Sequence, residues 1–482
     1  MARLIFAIVT ALLLGGCAGA NFRTYNYSED APKSENFEVF LDGEPCYAYP
    51  APGGDIANFD IAGEVEVRIR PLFKVESAVV RPLSAGVKPK IEDGEIVFSL
   101  SKPQLLCVEV NGDLERPLFV FANPPERDAP KKGDADVMFF ESGKIHNIEQ
   151  ETFIPSSTTV YIEGGAIVYG TFLAGDNFRV SQSRDIRICG RGILSGEKIP
   201  WASRRQGKSS NLIQINTTEN LRIEGITAVQ SPNWTIPIFA SNNIVIDGIK
   251  TVGKADWDDG IDIVSCRNVL VKNSFIYNRD DCIAIKAAVG YTARYFDHSK
   301  PNSVENVAVR DCVLWNGIYG NCLEIGFETR GDEIKNIVFE NLDIIHTQDN
   351  PWYVRQLKRN PETLTGEMVF TIHNGDRAHV RDVLYKDIRV EDTGAGLIDF
   401  RIMFSRYSRD EKRGKISNIR MENISVTSPY NPPYSRIAGF DGDSNVSGIT
   451  FKNFIVNGKK ITSKKDLNLK EFKFAEGLEF QP

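Results

Sequence analysis

The chain has 482 residues and a formal net charge of −7, enough for two domains or one long solenoid and without the basic footprint that a non-specific grip on nucleic acid requires. A hydrophobic fraction of 42% and a charged fraction of 25% are ordinary for a globular protein, so a large buried core is within reach. No low-complexity or heptad segment interrupts it.

At the N-terminus, Arg3 precedes an apolar run from Leu4 to Leu14 and then Gly15, Gly16 and Cys17. The run has the make-up of an export signal and is too short to span a bilayer. Leu14–Cys17 (LGGC) is similar to a bacterial lipobox, in which the cysteine is lipidated and becomes the first residue. Residues 1–17 are therefore read as a lipoprotein signal and Cys17 as the lipidation site; a plain signal peptide cut near Ala20 is the other reading. The expected location is the bacterial outer membrane, facing the periplasm or the cell surface, with the lipid as the only membrane contact. Of the other seven cysteines, Cys46 and Cys107 form a possible bridge, and the rest read as small core residues. No Cys/His cluster suggests a metal, and no cofactor is expected.

Residues 22–123 read as short strands separated by Pro, Gly and Asp. Val65–Arg70 (VEVRIR) alternates apolar and polar residues, the period of a half-buried strand. A small β-sandwich is expected here, followed by a proline-rich polar linker at 124–134.

From residue 135 to 482 one pattern recurs: Asn or Asp, alternating apolar residues, then Asn, Asp or Gly. It begins at Asn220, Asn243 and Asn268, intervals of 23 and 25 residues, and returns at Asn306, Asn336, Asp382 and Asn418. Strand-length apolar runs at such a period predict stacked coils of strands. Asn at a repeated corner tolerates a left-handed turn and can hydrogen-bond from coil to coil. The fold expected is all-β: a right-handed parallel β-helix preceded by a small β-sandwich.

Two coils carry acids: Asp256–Asp262 (DWDDGID) and Arg279–Lys286 (RDDCIAIK). Asp259 and Asp280 lie 21 residues apart, about one coil, which places them on strands roughly 4.8 Å apart. Stability alone would not select stacked like charges. They do raise a pKa, keeping one carboxyl protonated beside an ionised neighbour, the equipment for glycoside hydrolysis.

The two motifs resemble those of the polygalacturonase-type glycoside hydrolases of family 28, and Ser231–Trp234 (SPNW) is similar to that family's Ser-Pro-x-Trp. The resemblance spans roughly residues 142–456. It implies an inverting mechanism with Asp280 as general acid and Asp259 and Asp281 as water-activating bases. The family's Gly-His-Gly-x-Ser-Ile-Gly aligns with Gly320–Gly326 (GNCLEIG), so Asn321 replaces a histidine and Glu324 a serine. Its carboxylate-gripping Arg-Ile-Lys aligns with Thr371–His373 (TIH), which removes both cations. The sugar expected is therefore not polygalacturonate, and a neutral sugar fits the loss of both cations. Dextranase-like enzymes of family 49, which also carry a sandwich before the helix, are the closer architectural likeness.

Asp262, Lys286, Asn321, Glu324, His373 and Trp234 are the expected substrate-binding residues; Glu328, Arg330, Asp399 and Arg401 read equally as contacts to sugar hydroxyls or sulfate and as salt-bridged coil faces, and Trp257 as a ring stacked on a sugar or packed in the core. The insert Tyr291–Pro301 is expected at the cleft edge. The expected partner is a poly- or oligosaccharide bound by a monomer. Two rival functions are a calcium-assisted polysaccharide lyase and a non-catalytic surface carbohydrate-binding protein.

Overall fold

A computed structural model describes residues 21–175, 183–199, 211–287, 303–348, 368–394 and 396–481. The leader with Cys17 and the insert Tyr291–Pro301 lie outside the described residues.

The first part of the chain forms a six-stranded and a five-stranded sheet. Val65–Pro71 buries every second residue, as its alternation predicts. Val67, Ile69, Phe98, Leu106 and Val120 meet between the two sheets. Cys46 lies in this core, but Cys107 points out of the opposite face of its strand with Phe119 and Phe121. The expected Cys46–Cys107 bridge is therefore corrected: one strand's two faces separate them, and all seven described cysteines are buried free thiols.

The rest of the chain is a parallel β-helix. A nineteen-stranded sheet carries two files of strands, and an eleven-stranded sheet carries a third. Leu221, Ile244, Val269 and Val307 stand in register on successive coils and point inward. Each such side chain contributes about 1.5–3 kcal/mol by leaving water. The corners behave as the repeat predicts. Asn220, Asn243, Asn268, Asn306 and Asn336 all have φ between 54° and 59°. Asn306 Nδ2 donates to Asn268 Oδ1 at 3.0 Å, and Asn336 Nδ2 donates to Asn306 Oδ1 at 3.1 Å.

The sandwich is clamped to the helix. Phe119 meets Phe275 and Trp315 edge-on, with ring centroids 5.2 and 6.2 Å apart. Arg191 reaches Asp60 at 3.0 Å, and His346 Nε2 lies 2.6 Å from Glu109. Lys254, at the start of the turn carrying the first acidic motif, pairs with Glu115 of the sandwich. This contact ties the sandwich to the loop that positions the acids.

Candidate functional site

The acids sit on turns that feed the eleven-stranded sheet. Residues 253–260 lead into Ile261–Val264, and residues 279–282 lead into Ile283–Ala287. The turns stack through their backbones: Gly260 N donates to Asp281 O at 2.7 Å, and Cys282 N donates to Asn321 O at 3.1 Å. Asp259, Asp281 and Asn321 therefore rise from successive coils.

Asp258 has a different duty. It is fully buried, and its Oδ1 accepts from the backbone N–H of Arg279 at 2.7 Å and of Asp280 at 3.2 Å. It holds the turn that presents Asp280. Gly320, at φ 62°, presses on the same turn; a Cβ there would stand 2.2 Å from Asp280 Oδ1 and 2.6 Å from Asp281 Oδ1.

Lys286 lies beneath the acids, with Nζ 3.1 Å from Asp259 Oδ2 and 2.5 Å from Asp262 Oδ1. Its ammonium also stands 4.0 Å from the centre of the Trp234 ring. Asp280 keeps part of its surface open while protein packs densely around it. Desolvation first, and the charge of Asp259 second, raise its pKa to about 7. Burial and the charges of Asp259 and Asp280 push Asp281 well up as well. Asp281 Oδ1 accepts from Asn321 N at 2.6 Å.

The next coils continue the outward face. Asp262, Ala284, Glu324, Thr371, Asp399 and Arg436 stand in one register file. His373 and Arg401 belong to the file beside it. Glu324 accepts from Asn321 Nδ2 at 2.9 Å and from Thr371 Oγ1 at 2.5 Å, and it lies 3.0 Å from His373 Nδ1. His373 Nε2 stands 3.1 Å from Asp399 Oδ2, too poorly aligned for a full hydrogen bond. Arg401 grips Asp399 with two bonds of 2.5 and 2.7 Å. Although burial works against it, Glu324 and Asp399 raise the His373 pKa to about 9. A positive charge thus survives where the sequence reading saw both cations lost, but two acids occupy it.

Of the residues expected to bind substrate, Asn321 and Trp234 are 5% and 7% exposed, whereas Asp262, Glu324 and His373 are completely buried. Asp262 meets Lys286, Glu324 meets Asn321, and His373 meets Glu324. Trp234 packs on Phe239 and Val264 beneath Lys286, while Trp257 is 46% exposed. Arg330 pairs with Asp410 at 3.1 Å. Among the described residues no three His, Cys, Asp or Glu side chains form a cradle for a metal ion; Lys286 stands between Asp259 and Asp262. Sequence reasoning missed the loop 403–413. It is fixed where Asp376 Oδ1 accepts from Arg409 N at 2.6 Å and Asp410 N at 2.8 Å, and it sets the Tyr407 ring 5.6 Å from Phe327. No repeat pattern marks that loop.

A family model described as "Glycosyl hydrolases family 28" matches residues 144–471. A probable exopolygalacturonase B of Aspergillus fumigatus is 24% identical over 314 residues, which cover 54% of this chain and 63% of that protein. An isopullulanase of Aspergillus niger is 23% identical over 419 residues, covering 73% of this chain and 66% of that one. The fold of Dex49A from Penicillium minioluteum superposes with a TM-score of 0.64 at 16% identity, covering 96% of this chain and 99% of the other, so the two-part architecture is shared. With the family model matching more than half of its length, this chain belongs to glycosyl hydrolase family 28.

Proposed function

We propose that the chain hydrolyses glycosidic bonds of a neutral poly- or oligosaccharide with inversion, and not those of polygalacturonate. The observation that carries the reading is the division of labour among stacked acids. Asp280, with its pKa raised to about 7, is suited to give a proton to the leaving oxygen. Asp259, ion-paired to Lys286, is the carboxylate that takes a proton from the attacking water. Asp281, which burial and the charges of Asp259 and Asp280 push toward its protonated form, is the second base of the set. Water adds to the anomeric carbon as the bond to the leaving oxygen breaks.

The neutral-sugar reading rests on the coils beyond. A uronate needs a cation free to grip it, and His373 and Arg401 are both engaged by carboxylates. The relatives include an enzyme named for pullulan as well as those named for polygalacturonate. The test is a reducing-end assay on pullulan, dextran, polygalacturonate and sulfated galactans, with Asp280→Asn in parallel and NMR of the first-formed anomer. Release from a neutral glucan by the unmodified protein alone, with inverted anomer, is the expected result. Strong polygalacturonate cleavage or a retained anomer overturns it.

Lipidation at Cys17 and outer-membrane anchoring belong to the same proposal and rest on the LGGC motif. Labelled palmitate should enter the unmodified protein and not Cys17→Ser.

A further inference from the structure

Glu328 is the buried acid that the proposed mechanism leaves unused. Strand Leu323–Thr329 pairs regularly with Ile283–Ala287 through Ile285↔Ile325, and the register then jumps to Ala287↔Thr329. Gly326, Phe327 and Glu328 therefore stand opposite the single residue Lys286, a bulge that re-aims a side chain. Glu328 is 7% exposed, and among the described residues no side chain bonds its carboxyl; the hydrogen bond it receives comes from its own backbone N–H. The charges of Lys286, Asp259 and Glu324 all reach it, which sets it over the same patch as the acids. The preceding Phe327 is wedged between His373, stacked at 4.3 Å, and Tyr407 at 5.6 Å. The bulge therefore has little freedom to turn the carboxyl away. Tyr407 OH accepts from Arg406 Nη2, and the charges of Glu328 and Asp280 both reach the phenol. The charges of Glu328 and Asp280 thus meet at the Tyr407 phenol.

A nearly buried carboxyl that no other side chain bonds keeps lone pairs for a ligand to fill. We propose that Glu328 is a substrate-contacting specificity residue, whose carboxyl binds sugar hydroxyls in the cleft and repels sugars bearing a carboxylate or sulfate. The assignment rests on the hydrolase reading and deepens it by naming the group that selects the sugar class. A sugar hydroxyl donates to the carboxylate, whereas an anionic substituent brought against it meets like charge.

Binding is measured where turnover cannot interfere. Asp280→Asn is titrated calorimetrically with panose, isomaltotetraose and tetragalacturonate, alone and combined with Glu328→Gln or Glu328→Ala. The expected result is neutral-sugar affinity falling about tenfold with Glu328→Ala and less with Glu328→Gln, while tetragalacturonate binds weakly to the parent and gains in both variants. In parallel, Glu328→Gln without sugar should raise the melting temperature at pH 7, because it removes a buried charge that no side chain bonds. Unchanged neutral-sugar affinity, absence of any neutral-sugar binding, or a lowered melting temperature in Glu328→Gln overturns the proposal. Failure of the hydrolase reading looks different: neutral sugars bind with the predicted Glu328 dependence, yet the enzyme with Asp280 intact releases no reducing ends.

Discussion

The outward face of the eleven-stranded sheet has two regions built from the same backbone and charged in opposite spirit. Around Asp259, Asp262, Asp280 and Asp281 the only ammonium among the described residues is that of Lys286, and two acids already hold it. A few coils on, Glu324, His373, Asp399 and Arg401 alternate in sign, and Arg401 takes Asp399 with two bonds. Acids left in excess shift one another's pKa values and can move protons; acids matched one for one fix a wall. The difference teaches that charge matching, rather than burial, separates the two roles, since Asp262 and Asp399 are both completely buried.

The sharpest way to break the comparison is Asp280→Asn. Turnover should fall about a thousandfold, with stability unchanged or higher at pH 7. The sign follows from linkage: a carboxyl whose folded pKa of about 7 lies above its ordinary 3.8 favours the folded state at low pH, and that advantage is lost as pH rises through about 7. Activity of the unmodified protein should fall on the alkaline side of the same pH. A variant with full activity, or a flat profile between pH 5 and 9, removes Asp280 from the acid role.

Gly320→Ala comes next. The methyl meets Asp280 Oδ1 at 2.2 Å, well inside van der Waals contact; the acid must give way by about 1 Å, which costs about a hundredfold in kcat. Paired kcat and KM measurements should show the loss in kcat. A loss confined to KM would mean that the acids tolerate the shift.

Asp399→Asn probes the matched region. Leaving Arg401 and His373 buried without their anion should cost about 3–5 kcal/mol in a denaturant melt. His373 adds a pH signature. Its folded pKa of about 9 exceeds the ordinary 6.5, so its contribution is complete below pH 6.5 and lost as pH rises through about 9. The melting temperature should sag across that window in the unmodified protein and do so less in Asp399→Asn.

The smallest effect is expected at a corner far from both regions. Asn306→Ala loses its bonds to Asn268 and from Asn336 at a φ of 59° and should cost about 1–2 kcal/mol with activity intact. A cost near zero would mean that the asparagine ladder is decoration.

The coiled architecture was legible because Asn220, Asn243 and Asn268 repeat with the backbone that needs them. The acid cluster was legible because each motif is contiguous and the interval between them matches one coil. What escaped was contact across longer intervals. Asp399 meets His373 only after two strands have stacked, and Tyr407 meets Phe327 only because Asp376 anchors a loop that carries no repeat. Glu328 was weighed and left undecided, since a bulge has no sequence signature when its central residue is a phenylalanine. The Cys46–Cys107 expectation failed on parity: Leu106 and Val108 flank Cys107 and face the sandwich core, so Cys107 must face away.

In-register stacking also bears on how such a cleft changes over generations. Each coil adds one or two outward side chains at positions fixed by the ladder, as Glu324 opposite Thr371 and Thr371 opposite Asp399 illustrate. A substitution on one coil leaves the spacing of its neighbours untouched. The surface can therefore be rewritten a letter at a time, with the proton-handling letters kept and those beside them exchanged for another sugar.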